Sequence, residues 1–145
     1  PALSASWGPG ENVMVDFRRG QVHIDASAWE RLCVRHELPG RPGEPVSHTA
    51  LNLDLDRVVW ATGAACAMRP LLGADPQRWR HQRIKAAGRT SLRRYSLKPS
   101  HLAMAELLVQ RSMTPLELMQ RSRVAESDLR AFLQASLFVG LTYWA

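Results

Sequence analysis

The chain has 145 residues, 46% of them hydrophobic and 22% charged, enough to bury one hydrophobic core or two small units sharing an interface. No run of about 18 apolar residues occurs, which excludes a membrane-spanning helix. The 19 Lys and Arg outnumber the 13 Asp and Glu, for a net charge of +6. Eight of those cations lie in one acid-free stretch, residues 78–98; the other 11 face all 13 acids, so that one stretch supplies the positive excess.

The opening PALSASWGPGEN has neither the basic start nor the apolar core of a signal peptide. Pro9, Gly8 and Gly10 point to a flexible tail over residues 1–12. Residues 13–25 predict a β-hairpin: Val13, Val15 and Phe17 alternate with polar or flexible neighbours, as do Val22 and Ile24, and Gly20 suits the turn. A helix is expected next. Ser27 and Glu30 have capping-box spacing, Trp29, Leu32, Cys33 and His36 share a helical face, and Pro39-Gly40 ends it. Residues 40–48, with two prolines and two glycines, read as a loop.

Strand and helix compete over residues 49–62. Leu51, Leu53 and Leu55 alternate, whereas Asp54 or Asp56 would cap a helix carrying Val58, Val59 and Thr62; the balance favours a helix from about Asp54. It ends near Gly63 or continues towards Met68, and Arg69-Pro70 breaks it. The basic stretch RWRHQRIKAAGRTSLRRYSLKP has weak periodicity and reads as an irregular or partly extended connector.

The strongest local signals follow. Ser100, after Pro99, would cap a helix to about Arg111 with Leu102, Ala105, Leu108 and Val109 on one face. Thr114, Pro115 and Glu117 satisfy three separate helix-start rules. After a turn at residues 121–123, a third helix is expected over about 126–139, with Leu129, Phe132, Leu133, Ser136 and Leu137 on one side and Gly140 at its end. Residues 141–144 are β-prone.

The predicted class is α+β: a tail (1–12), an N-terminal hairpin-plus-helix unit (13–76), a basic connector (77–98) and a C-terminal three-helix unit (99–145). Thr114-Pro-Leu-Glu-Leu opening the second helix, Val124 before the third, and Leu129-Arg-Ala-Phe-Leu through to Gly140-Leu141 closing it together resemble the winged-helix (helix-turn-helix) family. The resemblance covers about the last third of the chain. It implies that the third helix is the recognition helix, presenting Glu126, Ser127, Arg130 and Gln134 outward, with residues 141–144 as the first wing strand. Two acids in its first turn, Glu126 and Asp128, suit the helix dipole but oppose a phosphate backbone. The family also includes members that bind proteins instead of DNA.

The candidate nucleic-acid contacts are Arg78, Arg80, Arg83, Lys85, Arg89, Arg93, Arg94 and Lys98 of the connector, with Arg123, Ser127 and Arg130. Trp79 and Tyr95 would stack on bases or pack beneath arginines, and Trp144 would mark an interface. The five histidines are scattered and none pairs with a cysteine at zinc-site spacing. Cys33 and Cys66 sit in apolar patterns and read as small buried hydrophobes in a cytoplasmic protein. No nucleophile elbow, phosphate-cradling glycine loop or cofactor motif is present, which points away from an enzyme. Two functions fit. One is a small regulatory protein that binds nucleic acid through the connector; the other is an interaction or adaptor module, with a protein partner or homodimer, that uses the winged helix as a scaffold.

Overall fold

A computed structural model describes residues 2–88, 95 and 97–145. Arg89, Arg93 and Arg94, three of the predicted contacts, lie outside the described residues. The class is α+β. The N-terminal half carries a five-stranded antiparallel sheet in the order β4-β1-β2-β3-β5, formed by β1 (Ala2–Gly8), β2 (Glu11–Asp16), β3 (Gln21–Ile24), β4 (Arg41–Pro42) and β5 (Leu51–Asp54).

The expected hairpin is present as β2 and β3, with Gly20 at φ 61° in its turn. The expected tail is not a tail: Ala2–Gly8 pairs along the whole of β2 and supplies an inner strand of the sheet. Ala5 and Trp7 face the first core, with Ser4 before and Ser6 between them, so the alternation in LSASW is faint, and the strand is held by its neighbours more than by its own propensity. Cross-strand register aligns Val15, Val22 and Leu53 in one row and Val13, Ile24 and Leu51 in the next. Val13, Val22 and Ile24 pack with Ala28 and Leu32 of α1 (Ala26–Cys33) and with Val58 and Ala61 of α2 (Leu55–Ala65) to form a first core. The competition over residues 49–62 resolves as strand and then helix, the switch falling at Asp54.

Helix α1 starts two residues earlier than Ser27 as N-cap would set it. Asp25 holds the N-cap position, but its carboxylate caps no helix N–H; it accepts from the backbone N–H groups of Asn12 and Ser47, each at 2.9 Å. This buried carboxylate fastens the loop before β5 to the hairpin. The helix also ends sooner than Pro39. His36 takes a left-handed backbone (φ 54°), so it leaves the helical face of Trp29, Leu32 and Cys33.

The second core belongs to the C-terminal half: α3 (Pro99–Gln110), α4 (Pro115–Ser122) and α5 (Glu126–Phe138), with the two-stranded sheet β6 (Ile84–Ala86) and β7 (Thr142–Trp144). Helix α3 begins with Pro99 at its first position and Lys98 as N-cap, so Ser100 lies inside it. Its buried face is His101, Met104, Ala105 and Leu108, turned from the expected one; Leu102 is exposed. The α4 start matches expectation in full: the Thr114 hydroxyl accepts from the Glu117 N–H at 3.2 Å, and the Glu117 carboxylate accepts from the Thr114 N–H. Arg123 ends α4 in a left-handed conformation (φ 56°). Gly140 (φ 75°) ends α5, with its N–H on the Leu137 carbonyl and that of Leu141 on Ser136.

The basic segment is more than a connector. A 3₁₀ turn, Trp79–His81, and β6 are built into the second core through Trp79 and Ile84. β6 has two neighbours, its antiparallel partner β7 in the two-stranded sheet and, through an isolated bridge at Ile84, Met113. The two cores meet where α2 crosses α5. A Cβ placed on Gly63 would lie 2.6 Å from the Ala135 Cα, so only glycine permits this approach.

Candidate functional site

The predicted recognition helix is the most enclosed element of the molecule. Leu129, Phe132, Leu133, Gln134, Ala135, Ser136 and Leu137 of α5 are all buried. Gln134, expected outward, is 2% exposed. Its amide accepts from the Leu72 N–H at 2.9 Å and donates to the carbonyls of Cys66 and Pro70 at 3.1 and 3.0 Å. Arg130, expected at a phosphate or base, donates instead to the carbonyls of Ala67 and Arg69 at 2.8 and 2.9 Å. Both side chains clamp the irregular segment after α2 onto α5, because its carbonyls, most of them at least partly buried and outside any helix or strand, need donors. Glu126 and Ser127 alone of the four outward positions remain exposed.

The connector cations divide. Arg80 pairs with Glu126 at 2.6 Å, and Lys98 pairs with Asp128 at 2.6 Å, so two of them neutralise the acidic first turn of α5. Arg83 donates to the Ser112 carbonyl at 2.9 Å. Arg78, Lys85 and Arg123 are exposed and carry no ion pair among the described residues. The predicted stacking residues are core residues: Trp79 is 5% and Tyr95 6% exposed, which removes both from contact with bases. Trp79 lies beneath arginines, with the Arg80 and Arg130 guanidinium carbons 4.5 and 5.2 Å from its ring centre. Tyr95 stacks on Trp60 at 5.2 Å. Trp144 is partly buried and donates to the Leu72 carbonyl at 2.9 Å.

A cleft of about 700 Å³ opens where α1 and α2 face α3 and α5. Trp29 and Cys33 come from α1, Arg57, Trp60, Ala61 and Ala64 from α2, and Ser127, Asp128 and Ala131 from α5; Tyr95, Lys98 and His101 close the remaining side. The Arg57 guanidinium rests 5.6 Å from the Trp29 ring centre. His101 is packed edge-on to Phe132 and against Trp60, and its Nε2 lies 3.1 Å from Asp128 Oδ1.

Charges here are set by burial and by one carboxylate. Burial lowers the His101 pKa below its ordinary value, outweighing the pull of Asp128 in the opposite direction. Burial would raise Asp128, but hydrogen bonds from Lys98 and Ser100 and the nearby His101 hold it lower than usual. Burial pushes the Cys33 thiol up to about 11, against a smaller opposing effect of Arg57, so the thiol stays protonated and is a poor nucleophile. Both cysteines are free. Among the described residues no group of three or more His, Cys, Asp and Glu is placed to hold a metal ion, and no helix is long and apolar enough to cross a membrane.

Of the cleft residues, sequence singled out Tyr95, Lys98 and Ser127, and those as nucleic-acid contacts and not as parts of one cleft. Trp29 and Trp60 carry the signature of core positions, and His101 and Asp128 are 27 residues apart. The one usable hint is the acidic first turn of α5, which needs a cation and obtains Lys98 and Arg80 from the basic segment. No family model, curated protein or solved structure matches the chain.

Proposed function

We propose that this is a cytoplasmic regulatory interaction module in which the winged-helix-like unit, α3 to α5 with β6 and β7, is a scaffold and not a reader of DNA bases. The observation that carries the reading is the clamp on α5. The helix that would enter a major groove about 12 Å wide instead has its middle and end buried against α2 and the segment after it, through Arg130 and Gln134. That clamped segment turns Met68 (81% exposed) and Leu72 (53% exposed) outward, apolar side chains suited to a protein partner or to a second copy of the chain. Met68→Glu and Leu72→Glu should weaken self-association measured by sedimentation equilibrium while leaving the fold intact by circular dichroism. Concentration-independent monomers, together with sequence-specific duplex binding, would sink the scaffold reading.

A second reading, nucleic-acid binding by charge alone, draws support from the exposed Arg78, Lys85 and Arg123. It predicts binding that is indifferent to sequence and falls steeply with salt. Fluorescence anisotropy with labelled duplex and single-stranded DNA over a salt series separates the two. Affinity lost in an Arg78→Ala/Lys85→Ala/Arg123→Ala variant favours charge, and absence of binding at low salt removes this second reading.

A further inference from the structure

We propose that the cleft between α1, α2, α3 and α5 binds a small, flat aromatic anion of mononucleotide size. Its volume of about 700 Å³ falls within the range typical of small-molecule sites, roughly 300–1,000 Å³. Its walls supply what such a ligand needs. Trp29, only partly buried, provides the aromatic face that a ligand can reach, Trp60 and Tyr95 are stacked on each other and buried in the wall, and Ala61, Ala64 and Ala131 are small enough to leave room beside it.

The charge matches too. Arg57 and Lys98 bring two cations to the lining against one carboxylate, Asp128, which Lys98 and His101 already engage. Arg57 has no ion pair among the described residues and is exposed, so its charge is open to an incoming anion. It is held over the Trp29 ring, and both line the same space, so one ligand can meet an aromatic face and a guanidinium together. The other acid-capable groups do not repel an anion. Cys33 keeps its proton, and His101, with its pKa lowered, is uncharged at neutral pH. His36, also in the lining, adds no negative charge in either protonation state.

The same chemistry is offered by a mononucleotide and by an aromatic carboxylate, and the test distinguishes them. The full chain is titrated with adenosine monophosphate, 2-naphthoate and neutral adenosine, with intrinsic tryptophan fluorescence as the readout. Saturable quenching by at least one anion is expected, with adenosine at least about tenfold weaker, the loss of one charged contact worth roughly 1.4 kcal/mol. Saturation by the nucleotide alone assigns a phosphate source, and saturation by naphthoate alone a carboxylate one. Arg57→Ala, a surface change, should weaken the anion about tenfold, and Ala131→Leu, which fills the cleft, should abolish binding. Thermal unfolding checks that each variant folds, and Arg57→Ala suffices if Ala131→Leu does not. No saturable binding of either anion up to about 1 mM, or affinity unchanged in Arg57→Ala, overturns the proposal. Neither outcome bears on the clamp or on Met68 and Leu72, so this site and the scaffold reading stand or fall separately.

Discussion

A histidine 5% exposed among Trp60 and Phe132 is costly to charge, and this makes His101 a source of acid sensitivity. Its pKa is lowered in the folded state, so as pH falls the unfolded chain takes up the proton first. Stability is therefore complete above the unfolded value, about 6.5, and declines as pH drops through the window beneath it. Asp128 is also held below its ordinary value, so its contribution is present above an unfolded value near 3.9 and is lost at still lower pH. Acid should weaken the protein in two stages, and His101→Gln should flatten the first. Melting temperatures measured between about pH 7 and pH 5 would show it; an unchanged slope would count against this account. Gln134 is the second residue on which much depends. Gln134→Leu leaves the Leu72 N–H and the Pro70 carbonyl without their partner and takes one of two donors from the Cys66 carbonyl, which keeps the Arg69 N–H, for a loss of about 2–3 kcal/mol by chemical denaturation. Nothing in the sequence marks His101, and Gln134 reads as an outward residue, because their partners lie 27 to 68 residues away. Thr114 is the opposite case. Its cap closes within four residues and was legible at once; Thr114→Ala should cost about 1 kcal/mol.

Elements were legible where their signals are local. The β2–β3 hairpin, the start of α4 and the glycine end of α5 follow from turn and cap chemistry, and all three formed as read. β1 escaped because serine and alanine carry little strand signal, and its pairing with β2 rather than its composition decides its state. The end of α2 was bracketed between Gly63 and Met68, and it falls inside that bracket. Gly63 read as a possible stop, yet the helix passes through it to Ala65, and the glycine is there because the α5 backbone crosses above it. An alanine in an exposed helix would gain roughly 1 kcal/mol over glycine. Here its methyl would press on the Ala135 Cα and the Gln134 carbonyl, so Gly63→Ala is expected to destabilise by about 1–3 kcal/mol. A rise in melting temperature would show that the crossing relaxes easily. The outward face read for α5 held for Glu126 and Ser127 and failed for Arg130 and Gln134: helix position and length were right, but which face is free depends on α2, which the spacing of residues 126–139 does not encode.

For the molecule as a whole, the boundary at Pro99 does not separate two independent parts. Trp60 of α2 and Leu71 belong to the C-terminal core, and Trp79, Ile84 and Tyr95 of the basic segment join them there. The positive excess, conspicuous in composition, is partly spent within the chain on Glu126 and Asp128. A fragment of residues 99–145 lacks β6, the strand between β7 and Met113, and should show little cooperative unfolding by circular dichroism. The same strand has a consequence in time. Ile84 and Trp144 pair across 60 residues of sequence, with three helices between them. Closing so long a loop must be completed before its contacts stabilise anything, which slows folding relative to a bundle held by neighbours in sequence. On the ribosome, the sheet of β1 to β5 can assemble while α5 is still being made. Until α5 has emerged and docked, the face of α2 that it covers stays open to water, to a chaperone or to a neighbouring chain.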